Sequence, residues 1–249
     1  MSRGELTRKA ILSRALSLAS EVGLEGLTIG KLAAQTGLSK SGLFAHFDSK
    51  EALQEQVLDF AAARFVENVV RPGLAAAPGE GRLLALFESW LEWPKTDPLP
   101  GGCFFVSAAT ELDDRPGPLR DRLAEMQRRW LGVLSETVRG AVAEGQLRPD
   151  VDAEQFAHDV YGVMLAYHHA ARLLRDPRAK ARARSGVSAL LAAARRTAIQ
   201  PAGPGVPATT ADGTAEGEIP ARAVGEPPCR GIRSPRPRQA ETPARAGFP

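Results

Sequence analysis

Cysteine and histidine are scarce in this chain, with two cysteines and four histidines among 249 residues. Cys103 and Cys229 lie far apart in different contexts, which argues against a disulfide framework and against a thiolate metal site. His168 and His169 are adjacent, so they point in different directions from a helix and do not form the i, i+4 pair that binds zinc. We therefore predict no metal site and no cofactor, in a protein of the reducing cytoplasm.

Long apolar runs and catalytic motifs are also missing. No stretch reaches the roughly 18 uninterrupted apolar residues of a membrane span, and the polar N-terminus lacks a signal-peptide core. The sequence shows no nucleophile with a base and an orienting residue, no glycine-rich phosphate loop and no paired-carboxylate motif. We therefore predict a cytoplasmic protein that is neither an enzyme nor associated with a membrane.

Residues 28–51 do carry a pattern, which is two short helices around a glycine. Thr28 is a suitable N-cap for the first helix, because three apolar residues on one helical face follow it: Ile29, Leu32 and Ala33. Gly37 can adopt the left-handed conformation that ends a helix, and Leu38 is expected to fill the angle between the two helices. This segment predicts a helix-turn-helix.

The second helix of this pair has the properties of a DNA-reading element. Ser39 is its predicted cap, and Leu43 and Phe47 lie four apart and face inward. The outward residues are small, basic or hydrogen-bonding, as a helix in a major groove requires: Lys40, Ser41, Phe44, Ala45 and His46. Asp48 or Ser49 is expected to cap a third helix, whose free N–H groups and Lys50 would form a phosphate clamp.

These residues resemble the N-terminal DNA-binding domain of the TetR family of bacterial transcriptional regulators. Arg8–Val22 is similar to the family's first helix, residues 39–47 to its recognition helix, and residues 49–53 to the start of its fourth helix. The resemblance implies eight DNA-contact positions: Thr28, Ser39, Lys40, Ser41, Gly42, Phe44, His46 and Lys50. Position 44 is usually tyrosine in this family, so Phe44 is expected to keep the ring contact and to lose one phosphate hydrogen bond.

The remainder of the chain predicts an all-α fold. A helix from Ser49 to Val69 is expected to end at Arg71-Pro72-Gly73, and the next, from about Glu80, is expected to end before Pro94. Apolar periodicity predicts four further helices, at about 102–112, 119–145, 153–175 and 177–198. Residues 201–249 contain ten Pro and seven Gly without periodicity, which predicts a disordered tail.

The predicted architecture is a three-helix helix-turn-helix DNA-binding head (1–50), a helical body (51–199) and a disordered C-terminal tail (200–249). The family resemblance implies that the body senses a ligand and dimerises, with its last two helices forming a four-helix bundle with the partner. The helix over 153–175 is apolar almost all round, which favours burial on two sides. A central position within one subunit is the alternative reading. The basic residues between 172 and 184 are interpreted as a solvated face near a helix C-terminus.

A pocket in the body would be lined by bulky side chains of the middle helices, although a side chain of this kind is more often plain core than pocket wall. The candidates are Phe65, Trp90, Trp93, Phe104, Phe105, Met126, Trp130, Tyr161 and His168. Such a pocket predicts an apolar or aromatic ligand.

The predicted function is that of a homodimeric transcriptional repressor. It would bind double-stranded DNA at a pseudopalindromic operator and be released by a small-molecule effector. A transcriptional activator of the same fold, and a ligand-binding helical protein without specific DNA binding, are the two alternatives.

Overall fold

A computed structural model of the chain describes residues 3–195, with side chains from residue 8 onward. The predicted tail, residues 200–249, lies outside the described residues. Within residues 3–195 the fold is all-α without a strand, and its helices are α1 (Arg3–Val22), α2 (Ile29–Thr36), α3 (Lys40–Phe47), α4 (Lys50–Phe65), α5 (Arg71–Leu74), α6 (Glu80–Thr96), α7 (Phe104–Leu112), α8 (Pro118–Ala143), α9 (Ala153–Arg172) and α10 (Ala179–Ala194). A π-helical turn, Val66–Val70, joins α4 to α5.

The helix-turn-helix forms where it was predicted, because its capping residues act locally. Thr28 caps α2 by accepting a hydrogen bond from the Lys31 N–H, and Ser39 caps α3 by accepting one from the Gly42 N–H. Gly37 has a φ of 69°, the left-handed conformation that ends α2. Helix α1 packs against α2 and α4, and α3 packs against both α2 and α4.

One local expectation in the head is wrong. Leu38 is 38% exposed, so it does not fill the angle between α2 and α3, whereas Leu32 of α2 and Leu43 of α3 are fully buried. The prediction that Asp48 or Ser49 caps α4 is confirmed in its second form, since Asp48, with a φ of 60°, lies in the turn itself. Ser49 is the cap, and it accepts a hydrogen bond from the Ala52 N–H.

The helix that leaves the head does not stop at Arg71-Pro72-Gly73, as the proline had suggested. It continues through the π-helical turn, in which the Arg71 N–H donates to the Val66 carbonyl five residues earlier, and ends at Leu74. A proline ring clashes with the carbonyl four residues before it in an α-helix. The wider π turn ahead of Pro72 relieves that clash, so the helix persists.

Pro94 likewise fails to end its helix. Helix α6 extends to Thr96, and the Asp97 N–H donates to the Trp93 carbonyl at 3.1 Å. Burial explains the difference: Trp90 and Trp93 are almost fully buried on the last two turns of α6, and their packing offsets the hydrogen bond that Pro94 cannot donate.

The body is organised around α8, which packs against α4, α6, α7 and α9, while α10 packs on α9. Helix α9 packs against both α8 and α10, but its remaining side is not covered within the described chain. Phe156, Val160 and Met164 are buried, but Leu165 on the opposite side is 38% exposed. Just beyond the helix, Leu173 and Leu174 are 71% and 63% exposed. One apolar side of α9 is therefore free in the single chain.

The basic residues near α10 do face solvent, and several form ion pairs. Arg184 donates two hydrogen bonds to Glu88, both at 2.7 Å, and Lys180 pairs with Glu92. These pairs tie α10 to α6. No helix in residues 3–195 combines the length and apolarity needed to cross a membrane.

Candidate DNA-binding surface and effector cavity

The candidate recognition surface is the outward side of α3. Leu43 and Phe47 are fully buried and fix the helix on the core of the head. Lys40 and Ser41 are exposed, and Phe44 is 48% exposed although its side chain is a large apolar ring. This surface therefore presents an ammonium, a hydroxyl and an aromatic ring together, a combination suited to phosphate, base-edge and sugar contacts in a major groove.

Two further predicted contact residues on α3 are half-buried. Gly42 leaves the Ser39 hydroxyl uncovered, because a Cβ at position 42 would lie 3.1 Å from Ser39 Oγ. The His46 ring lies 6.1 Å from the Phe47 ring. Gly42 and His46 lie on α3 with the exposed residues, so five of the predicted contact residues are on this one helix, outside its buried side of Leu43 and Phe47.

The hydroxyls of the two caps are already engaged with the backbone. Thr28 Oγ1 accepts from the Lys31 N–H at 3.2 Å, and Ser39 Oγ accepts from the Gly42 N–H at 3.1 Å and lies 3.1 Å from Ser41 Oγ. An accepting hydroxyl keeps its own hydrogen free to donate. Thr28 and Ser39 can therefore cap their helices and still donate to a phosphate.

Lys50, at the start of α4, forms an ion pair inside the head. Its Nζ lies 2.9 Å from Glu25 Oε2, and Arg115 NH1 lies 3.8 Å from the same oxygen. The hydrogen bond from Lys50 is the main reason that the pKa of Glu25 is held below its usual value. A phosphate bound by Lys50, as predicted, would therefore compete with the internal carboxylate of Glu25 for the same ammonium group.

Glu111, near the end of α7, is hydrogen-bonded to the turn between α1 and α2. Its two carboxylate oxygens accept hydrogen bonds from the backbone N–H groups of Leu24 and Glu25, both at 2.7 Å. Gly23 permits this approach, since a Cβ there would lie 2.9 Å from Glu111 Oε2 and the φ of 77° disfavours other residues. Sequence reasoning did not identify Glu111, because its two partners lie more than 80 residues away in the chain.

Further polar contacts surround this junction. Asp97 is buried and accepts a hydrogen bond from Arg64 Nε at 2.8 Å, which raises the pKa of Arg64. The Gly101 N–H donates to Ser20 Oγ at 3.1 Å. The segment between α6 and α7 is therefore attached both to α1 and to α4.

A cavity of about 220 Å³ lies in the body beside the π-helical turn. Fourteen residues from α4, the π turn and α6 to α9 line it, and most of them are apolar: Ala62, Phe65, Val66, Val70, Trp90, Cys103, Phe105, Val106, Met126, Gln127, Arg129, Trp130, Val133 and Tyr161. Six of the nine predicted pocket residues line this cavity, namely Phe65, Trp90, Phe105, Met126, Trp130 and Tyr161.

The other three predicted pocket residues are packed elsewhere. Trp93 is fully buried behind Phe65, with ring centroids 5.6 Å apart at 83°. Phe104 is also buried, and its ring centroid lies 5.5 Å from that of Phe105. His168 packs over Gly102, and burial is the main reason that its pKa is lowered. The helical pattern placed these residues near the cavity but could not tell which side each ring would take.

Few polar groups face the cavity, and most of those are paired. The Tyr161 hydroxyl donates to Gln127 Oε1 at 2.8 Å, and Gln127 Nε2 donates to the Phe105 carbonyl at 3.3 Å. Burial raises the pKa of Tyr161 to about 12 and that of Cys103 to about 11, so both groups are neutral at physiological pH. Within residues 3–195 no cluster of side chains has the composition of a metal site. The buried walls of the cavity are suited to an uncharged, mainly apolar group.

The chain is similar to bacterial transcriptional regulators over two regions. Residues 11–57 match the family described as bacterial regulatory proteins, tetR family, and residues 79–187 match the family described as Tetracyclin repressor-like, C-terminal domain. The chain is 28% identical to the HTH-type transcriptional repressor KstR2 of Mycolicibacterium smegmatis over 170 residues, which are 65% of this chain and 78% of that protein.

Solved structures share the fold over most of their length. A TetR transcriptional regulator from Chloroflexus aurantiacus is 28% identical with a TM-score of 0.69, and the match covers 77% of this chain and 96% of that one. AibR in complex with isovaleryl coenzyme A and operator DNA is 22% identical with a TM-score of 0.60, over 74% of this chain and 97% of that one. The two family matches, the relatives and the helix-turn-helix agree: this chain belongs to the TetR family and is a DNA-binding transcriptional regulator.

Proposed function

We propose that the chain is a homodimeric transcriptional repressor that a small, apolar or aromatic effector releases from its operator. Residues 1–50 would read DNA, and residues 51–199 would bind the effector and the partner subunit. The main support for the proposal is that one helix, α7, reaches both the cavity and the head. Phe105 and Val106 of α7 line the cavity, and Glu111 of α7 is hydrogen-bonded to the α1–α2 turn. Repression is supported by the similarity to KstR2, a repressor.

DNA contact is assigned to the surface formed by α3 and the start of α4. Its residues are Thr28, Ser39, Lys40, Ser41, Gly42, Phe44, His46 and Lys50. Lys40 and Ser41 are exposed and would reach base edges, while Lys50 and the caps would hold phosphates. Two copies of this surface would read half-sites about 34 Å apart, one turn of the DNA helix, in a pseudopalindromic operator.

Dimerisation is assigned to the free side of α9 and α10. Small residues, Gly162 and Ala166, alternate there with the exposed Leu165, and small side chains also face outward on α10. Small residues let helices approach closely, and an apolar face of this kind is stabilised by burial against a second copy. The two heads would then be held at a spacing that depends on the body.

An effector in the cavity would act on the heads through two helices. Helix α4 runs from Lys50 at the DNA surface to Phe65 at the cavity, about 22 Å at the rise of an α-helix. Helix α7 covers about 9 Å between Phe105 and Glu111. A ligand that binds more tightly when α4 or α7 is placed differently would increase the population of molecules with a different head spacing. The size of this increase depends on how much more tightly the ligand binds that arrangement.

The DNA upstream of the chain's own gene provides a direct test. In a gel-shift assay we expect tight, salt-sensitive binding that resists nonspecific competitor and maps to a pseudopalindrome. If nonspecific competitor DNA abolishes the binding, the result would instead favour a ligand-binding protein without specific DNA recognition. In vitro transcription from the same fragment separates a repressor, which lowers transcript yield, from an activator, which raises it. Sedimentation of the free protein tests the dimer.

A further inference from the structure

Two exposed residues among those that line the cavity mark the side on which it opens to solvent. Val66, in the π-helical turn, is 46% exposed, and the side chain of Arg129, on α8, is 76% exposed. Five other lining residues are buried and form an inner wall, namely Phe65, Trp90, Cys103, Phe105 and Trp130. A ligand in this cavity would therefore have one end against buried side chains and the other end near Val66 and Arg129.

The inner part of the cavity is unsuited to a charged group. Arg129 apart, the titratable residues of the lining are Cys103 and Tyr161, and burial raises their pKa values to about 11 and about 12. Both are therefore neutral at physiological pH. A charged group placed there would give up its hydration among neutral side chains, so the inner end of a ligand should be apolar.

Arg129 is the charged residue of the described lining, and it belongs to a group with excess positive charge. Its Nε donates to Glu125 at 3.0 Å, which leaves its two terminal NH2 groups able to donate to a ligand. Glu125 is shared, because Arg128 Nη1 lies 3.6 Å from its other carboxylate oxygen. Two arginines thus face one carboxylate, and the group of Arg128, Arg129 and Glu125 is positive overall.

The carboxylates that neighbour the opening are paired with cations. No acidic residue is among the described residues that line the cavity. Glu67 follows Val66 in the π turn, and Arg64 Nη1 donates to it at 2.9 Å. Asp59, seven residues before Val66, forms an ion pair with Arg122 of α8 at 2.6 Å. An anionic group at the outer end of the cavity would therefore meet the positive group of Arg129.

We infer that the effector is an amphipathic carboxylate, whose apolar or aromatic body lies against the inner wall and whose carboxylate is bound by Arg129 at the opening. A guanidinium can donate two parallel hydrogen bonds to a carboxylate, which makes arginine well suited to this group. The inference rests on the proposed role of the cavity as the effector site. It adds a negatively charged group, and the place where that group binds, to the apolar or aromatic effector proposed above.

Three probes that share a phenylalkyl body and differ in their head group test this class by isothermal titration calorimetry on the full chain. They are 4-phenylbutyrate, 4-phenylbutan-1-ol and 4-phenylbutylamine, which at neutral pH are an anion, a neutral molecule and a cation. We expect the carboxylate to bind about three- to tenfold more tightly than the alcohol, because solvent limits the strength of an exposed ion pair, and the amine to bind most weakly. The preference for the carboxylate should decrease with added salt.

Two variants locate the binding of the carboxylate. In Arg129→Gln the preference for the carboxylate over the alcohol should fall to about twofold or less, while the affinity for the alcohol stays the same. Arg128→Gln is the matched control, because Arg128 contacts the same Glu125 but does not line the cavity. It should retain most of the preference. Both arginines are more than 70% exposed, so neither substitution disturbs the core.

The outcomes separate the ligand class from the effector cavity itself. Equal binding of the carboxylate and the alcohol, or tighter binding of the amine, would overturn the ligand class while leaving the cavity as a ligand site. An unchanged preference in Arg129→Gln, or an equal loss in both variants, would overturn the assignment of the carboxylate to Arg129. Binding of none of the three probes would overturn the effector cavity as well.

Discussion

Lys50 Nζ and Glu25 Oε2 lie 2.9 Å apart, so an internal carboxylate occupies the lysine that we assign to a DNA phosphate. Both side chains are partly exposed, at 35% and 42%, and a phosphate can therefore reach the pair. DNA binding would exchange Glu25 for a phosphate oxygen on Lys50. The affinity for DNA then depends on a residue that does not itself touch DNA.

Glu25→Gln should raise the affinity for operator and nonspecific DNA alike, by about two- to tenfold at low salt, because it replaces the ion pair with Lys50 by a weaker neutral contact and removes one negative charge near the phosphates. Lys50→Ala should lower both affinities and reduce the slope of log affinity against log salt by about 1. Fluorescence anisotropy with labelled DNA over a salt series measures both quantities. Glu136→Gln is a suitable control, since Glu136 pairs with Arg139 on α8. Weaker binding by Glu25→Gln would contradict the exchange.

Phe44→Tyr should tighten operator binding by about two- to tenfold, because the added hydroxyl can donate to a phosphate. Phe44 is 48% exposed, so the hydroxyl requires no rearrangement of the head. The comparison with Phe44→Leu separates the hydroxyl from the apolar contact, and the leucine variant should bind more weakly than wild type. Anisotropy titrations of the three proteins on one operator provide the measurement. Equal affinity of the wild-type protein and the Phe44→Tyr variant would show that no phosphate lies within reach.

Glu111→Ala should lower the free energy of unfolding by about 2–4 kcal/mol, because it leaves the N–H groups of Leu24 and Glu25 without their carboxylate. Urea denaturation followed by circular dichroism measures this loss. Glu136→Ala removes an exposed carboxylate and should change stability by about 0–1 kcal/mol.

The same Glu111 substitution tests the path from the cavity to the head. Glu111→Ala should leave the affinity of the effector for the cavity unchanged. It should reduce the change in DNA affinity that the bound effector causes. A variant that retains the full ligand effect on DNA would show that α7 does not carry it.

Gly162→Leu should weaken dimerisation by about tenfold or more without unfolding the subunit. Gly162 is exposed and a Cβ there meets no atom within 4 Å in the single chain, so a leucine would start in open space and would meet a partner seated on this side. Analytical ultracentrifugation over a concentration series measures the dissociation constant. Gly140→Leu on α8 is the matched control, because its surroundings are equally open. If the two variants sediment alike, the dimer face lies elsewhere.

Features determined by neighbouring residues could be predicted from the sequence. Thr28, Ser39 and Gly37 act on N–H or carbonyl groups within four residues, and the structure places each of them as predicted. The prediction that helices end at Pro72 and Pro94 was wrong, because the effect of a proline is not determined by its sequence neighbours alone. Whether a proline ends a helix depends on the turn before it and on the burial of its neighbours, and both are properties of the folded chain.

Tertiary relationships could be predicted only in outline. The apolar stripes indicated which rings would be inside, yet they could not separate Trp130, on the cavity wall, from Trp93, behind it. Glu111 carried no signal in the sequence, because an acidic residue near a helix end usually faces solvent. Its role depends on a turn that folding brings to it from more than 80 residues away.

The distribution of tryptophan gives the molecule a built-in optical reporter. The chain has three tryptophans, of which Trp90 and Trp130 line the cavity and Trp93 packs directly behind Phe65. The head contains none. The tryptophan fluorescence therefore comes entirely from the region of the cavity, so we expect its spectrum to change when a ligand occupies that space. The anisotropy of fluorescently labelled DNA would report DNA binding by the head. The two events can be recorded separately, at different wavelengths, in one unmodified protein.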